Sequence, residues 1–173
     1  MAILADRETY QPRPAGSGLR EATNLKQRLR RLLSTSEQGK RLLHLLPENP
    51  RIPKAYGLPK THKSGVPLRP IISGIGSTPH SLAKVLAKPL SKLLGTMSGA
   101  HLENSNDLLN RLGKIGFRNK VLASFDVKSL FTNVPSDGAI TAMKEVLETV
   151  DDVELPLPRP DFITAVTMCV NFG

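Results

Sequence analysis

"YGLPKTHKSGVPLRPIISG", Tyr56 to Gly74, interrupts itself with three prolines and three glycines and carries Lys60, His62, Lys63 and Arg69 without one carboxylate. Leu58 before Pro59 and Arg69 before Pro70 are pushed toward extended backbone, because the proline ring clashes with an α-helical predecessor. Ser64-Gly65, between the two extended pieces, supplies a turn. The stretch therefore reads as a stiff, cationic β-hairpin. The bias extends on both sides of it. No Asp or Glu occurs between Glu48 and Glu103, whereas Arg51, Lys54, Lys60, Lys63, Arg69, Lys84, Lys88 and Lys92 all fall in that interval.

The whole chain has 173 residues and a formal charge of +9, distributed unevenly. Residues 1–100 hold 17 Lys and Arg against 5 acids, net +12, and residues 101–173 hold 7 against 10, net −3. The cationic surface thus belongs to the first half. It suits a polyanion, since cations that neutralise phosphates release counterions; the plainer reading is a solvated basic face. With 39% hydrophobic residues the chain can bury a core, as one domain or as part of a larger one.

Several functional classes are set aside. The single Cys169 cannot form an internal disulfide; it fits a reducing compartment and a core position, so a nuclear or cytoplasmic rather than secreted protein is expected. "MAILADRETY" has neither the basic flank nor the apolar run of a signal peptide, and no span is indicated, so no membrane partner is expected. "GIGSTP" at Gly74 starts like a dinucleotide loop but has Pro79 where the third glycine belongs. "SLAK" at Ser81 lacks the companion motifs of penicillin-binding enzymes. His44, His62, His80 and His101 have no zinc-ligand spacing, and no hydrolytic triad can be assigned.

Hydrophobic periodicity organises the rest. "QPRPAGSGLR", Gln11 to Arg20, reads as a flexible connection, and Leu25, Leu29, Leu32 and Leu33 then recur at helical spacing. A short second helix is expected over roughly Glu37 to Leu46. Leu82, Val85, Leu86, Leu90, Leu93 and Leu94 make a further helical stripe opposed by Lys84, Lys88 and Lys92, with Pro89 expected to kink or split it. A small amphipathic turn follows around Leu108 to Leu112. "VLASFDV" alternates as a strand: Val121, Ala123, Phe125 and Val127 share an apolar side, and Leu122, Ser124 and Asp126 the other. After it, Ile140, Met143, Val146, Leu147 and Val150 line a helix with Ser136 as a plausible N-cap and Asp137 suited to its dipole. Asp126, disfavoured within strands, is read either as a turn cap or as a working carboxylate.

These residues carry a resemblance. "YGLPKTHKSGVPLRPIISGIGSTPHSLAKVLAKPLSKLL" and, further along, "SFDVKSLFTNVP" resemble the first polymerase blocks of the reverse transcriptases of Penelope-like retroelements, most strongly from Tyr56 to Pro135. A weaker likeness extends upstream through "DRETY" and the Leu25 to Leu33 helix. The resemblance implies that the hairpin belongs to fingers closing over an incoming nucleotide, with Arg69 and either Lys60 or Lys63 on the triphosphate. It implies that Asp126 is the first catalytic aspartate and a ligand of magnesium, two ions of which serve the complete enzyme. Phe131 matches the residue that excludes a 2′-hydroxyl; the alternative is a core aromatic. Implied partners are an RNA template, a DNA primer and deoxynucleoside triphosphates.

Together these readings give an α+β chain: a helical N-terminal region (1–50), a basic fingers-like region (51–120) and a partial palm with an incomplete sheet (121–173). The family's Tyr-x-Asp-Asp block does not occur in the sequence, and Asp151-Asp152, in "TVDDVELP", are read as a surface turn rather than as that pair. The expectation is a fragment of an RNA-directed DNA polymerase, inactive alone. The alternative is a non-catalytic, basic nucleic-acid-binding protein derived from a retroelement.

Overall fold

Leu25, Leu29 and Leu33 recur one helical turn apart, and with Ala22 they form the buried stripe of helix α1 (Ser17–Leu33) in the computed structural model. The structure describes residues 12–97, 101–115, 121, 123–127, 130–150 and 153–172, with backbone only at 94–97, 131 and 132. It is a mixed helix and sheet structure that divides into two compact units: residues 1–86 with 154–173, and residues 87–153.

In the first unit α1 packs on α7 (Arg159–Val170), whose Phe162, Ala165 and Val166 are buried. α7 begins with Pro160 in its first turn, where the missing N–H has no helical partner to lose, and Asp161 beside it suits the dipole. The Thr35 hydroxyl donates to Asp161 Oδ2 at 3.2 Å, tying the end of α1 to the start of α7. After α1 come a one-turn helix α2 (Glu37–Lys40), capped by Ser36 Oγ accepting from the Gly39 N–H, and a 3-10 turn at Leu43–Leu45. The single helix expected from Glu37 to Leu46 is thus broken in two. The expected flexible connection ends sooner than the sequence suggests: left-handed Gly16, φ 77°, turns the chain so that Ser17 to Arg20 already belong to α1.

β1 (Lys54–Pro59) and β2 (Leu68–Ser73) form the expected antiparallel hairpin. Its base is closed by the Arg51 N–H donating to Gly76 O at 3.2 Å. The Thr78 hydroxyl just beyond, fully buried, donates to Ala22 O of α1 at 2.8 Å. Gly65, φ 71°, supplies the left-handed turn conformation at the tip. α3 (His80–Met97) then runs as one helix through buried Pro89, without the split expected there, and the division between the two units falls inside it.

The second unit contains the rest of α3, then α4 (Ser105–Leu112), α5 (Leu130–Asn133) and α6 (Ser136–Thr149). Among its described residues, Pro89, Leu93, Ile140, Met143 and Leu147 are buried. α6 is capped at Pro135 without a side-chain bond, so Ser136 is the first helical residue rather than the cap. The expected strand at 121–127 is absent: its described residues have no ladder partner, and Val121, Phe125 and Val127 are 95%, 94% and 60% exposed. Alternation encodes a face to bury, but a strand also needs a neighbour for its N–H and C=O groups, and no described strand pairs with this segment. No second layer of sheet lies among the described residues, so the α+β class holds in its general form.

Gly39 carries the tightest backbone approach in the first unit. A Cβ there would lie 2.9 Å from Leu33 Cα and closer still to its carbonyl oxygen. Gly39→Ala is therefore expected to cost about 1–3 kcal/mol, read as a melting temperature lower by several degrees; an unchanged melting curve would contradict this packing.

Candidate nucleic-acid interface

The hairpin's ladder decides which side chains share a face. Lys60 N–H donates to Pro67 O at 2.9 Å, which extends the β1–β2 register by one pair. Pairs therefore alternate, with 54/73, 56/71, 58/69 and 60/67 hydrogen-bonded and 55/72, 57/70 and 59/68 not. Lys54, Tyr56, Leu58, Lys60, Arg69, Ile71 and Ser73 fall on one face. Ala55, Gly57, Pro59, Leu68, Pro70 and Ile72 fall on the other. One face is cationic with an aromatic ring among the charges, and the other is wholly apolar.

Proline placement follows the same parity. Pro59 and Pro70 stand in pairs whose N–H groups point away from the ladder, so neither ring removes a β1–β2 bond. Each instead leaves a gap on an outer edge, which blocks the addition of another strand there. The hairpin is thus stiff and self-limited.

Lys60 and Arg69 are diagonal neighbours on the cationic face, a relation that places Cα atoms about 7–8 Å apart. Lys63 lies beyond the ladder, in the turn, where its N–H donates to Lys60 O at 3.0 Å. Lys63 and Arg69 are exposed and Lys60 half-buried, and none of the three forms an ion pair among the described residues. Tyr56, 51% exposed, offers an unstacked ring between the charges of Lys54 and Arg69.

Asp126 and Phe131 belong to the second unit. Asp126 is exposed and has no hydrogen bond or ion pair among the described residues. Phe131 sits in α5; its side chain lies outside the description, as do Asp151 and Asp152 and the upstream Asp6 to Tyr10. No group of three or more His, Cys, Asp or Glu side chains converges among the described residues. No described helix is long and apolar enough to cross a membrane.

A polar cleft of about 440 Å³ lies between α1 and α7, lined by Asn24 and Arg28 on one side and Thr167 and Asn171 on the other. Helical spacing puts Arg28, Arg30 and Arg31 off the leucine stripe of α1, and all three are exposed. Compared with known proteins, the chain matches no family model, no curated protein and no solved structure.

Cys169, on α7, is the one nucleophilic thiol, and burial pushes its pKa up to about 12. The folded chain keeps this proton at pH values where the unfolded thiol ionises, so the contribution to stability is present below pH 9 and is lost as pH rises toward 12. At pH 8.5, iodoacetamide is expected to label the denatured chain at least ~100-fold faster than the folded one; equal rates would contradict the burial.

Proposed function

We propose that this chain supplies the fingers and the first metal-binding aspartate of an RNA-directed DNA polymerase, of the kind its Tyr56 to Pro135 blocks resemble. The observation that carries the reading is the cationic hairpin face. Lys54, Lys60 and Arg69 project together from it, without acids to neutralise them. A guanidinium fork and an ammonium group match the oxygens of a triphosphate, and their attraction to it needs no counter-charge nearby. Of the two candidate lysines, Lys60 is the partner this reading selects, because it shares the face of Arg69. Tyr56 between the charges suits a base or sugar stacked on the same surface.

Asp126 is the residue that would hold magnesium. The fit is that of a single ligand: an exposed carboxylate without an ion pair among the described residues, for a cation that takes one or two carboxylates and completes its shell with water and substrate phosphates. When bound, such an ion neutralises phosphate charge and activates the primer hydroxyl. In the first unit Arg69 and Lys60 would hold the phosphates of the nucleotide; the role of excluding a 2′-hydroxyl comes to Phe131 from the resemblance alone. The hairpin's apolar face and Val121, Ala123, Phe125 and Val127, exposed here, are surfaces that further parts of a polymerase would cover.

Because one aspartate cannot hold two ions, the 173-residue chain alone is expected to give no magnesium-dependent primer extension. Joined to a segment carrying a Tyr-x-Asp-Asp block, it is expected to extend a primer. There Arg69→Ala should raise the KM for nucleotide by roughly 10- to 100-fold, the value of one or two charge-assisted hydrogen bonds. Extension by the chain alone, or an unchanged KM in Arg69→Ala, would overturn the reading.

A further inference from the structure

The outward face of α1 is a second cationic surface, separate from the hairpin. At 3.6 residues per turn, Arg20 and Arg31 lie within about 20° of each other around the helix axis and ~16 Å apart along it. They point away from the buried stripe of Ala22, Leu25, Leu29 and Leu33. Arg28 stands beside them, and Asn24 and Gln27 fill the space between with uncharged hydrogen-bonding groups. α1 has one acid, Glu21, and it is paired with Arg13. Arg20, Arg28 and Arg31 are exposed and form no ion pair among the described residues.

We infer that this face binds the phosphate backbone of a nucleic acid, lying along α1 between Arg20 and Arg31. A run of guanidinium groups with intervening amides fits a line of phosphates, which offers one charge at each short, regular step. An acidic membrane surface fits less well. A helix that lies on a bilayer does so by its apolar face, and that face of α1 is buried in the first unit. The cleft beside Asn24 and Arg28 gives the same edge of the helix a recess. This inference rests on the nucleic-acid reading above, but on different residues.

The test is binding of the full 173-residue chain to a fluorescein-labelled RNA–DNA hybrid, followed by anisotropy from 50 to 300 mM KCl. The variants are R20Q/R28Q/R31Q and K60Q/K63Q/R69Q. Circular dichroism serves as the fold control, since none of these side chains is in the core. The α1 variant is expected to remain folded and to bind more weakly, with a log–log salt slope shallower by about 3, close to 0.9 per lost phosphate contact. The hairpin variant should lose its own share independently. An α1 variant with the parent's affinity and slope, beside a weakened hairpin variant, overturns this inference and leaves the nucleic-acid reading standing. A parent chain without salt-dependent binding overturns both. Equal displacement of the hybrid by polyglutamate at matched charge, or equal binding to phosphatidylserine vesicles, overturns the assignment of the α1 face to nucleic acid.

Discussion

Everything distinctive about this chain depends on the parity of one two-stranded ladder. Proline in a strand costs a hydrogen bond only where its N–H faces the partner. Pro59 and Pro70 both stand where it faces away. The ladder therefore stays intact while the rings hold the backbone extended and blunt both outer edges. The same parity sorts side chains, gathering Lys54, Lys60 and Arg69 with Tyr56 on one face and leaving the other apolar. Shifting the register by a single residue would mix the two sets and scatter the charge.

A lone hairpin of this size is marginal in water, so its root needs anchoring. The anchors are specific: Arg51 N–H to Gly76 O closes the base, and buried Thr78 reaches Ala22 of α1, itself packed on α7. α1 thus serves two roles at once. Its inner stripe builds the core that holds the hairpin root, and its outer arginines extend the positive surface without entering that core. Such a division is available to an amphipathic helix because inner and outer positions separate cleanly at 3.6 residues per turn.

Much of this was readable in residues whose local preferences agree with their surroundings. The leucines of α1, the proline-bounded pieces of the hairpin, and Ile140, Met143 and Leu147 of α6 all sit where their spacing put them. The failures are those in which a local signal needed something non-local. "VLASFDV" alternates as a strand does, yet alternation supplies neither a neighbouring ladder nor a covering layer, and Val121 and Phe125 are exposed. "GSGLR" looks like linker, but a left-handed Gly16 lets the helix begin at once. Lys60 and Lys63 were indistinguishable by type and spacing; only the register puts Lys60 on the face of Arg69. For Asp126 the resemblance alone offers a role, and the structure adds that its carboxylate is exposed and unclaimed by a described neighbour.

The central claim is that the hairpin's cationic face receives a nucleotide's phosphates, and amide chemical shifts of the isotope-labelled chain test it most directly. Titration with a deoxynucleoside triphosphate in the presence of magnesium is predicted to move the resonances of Lys54, Tyr56, Lys60 and Arg69 together along one saturable curve, with those of α4 and α6 stationary. Saturating triphosphate that leaves these hairpin resonances in place would contradict the account.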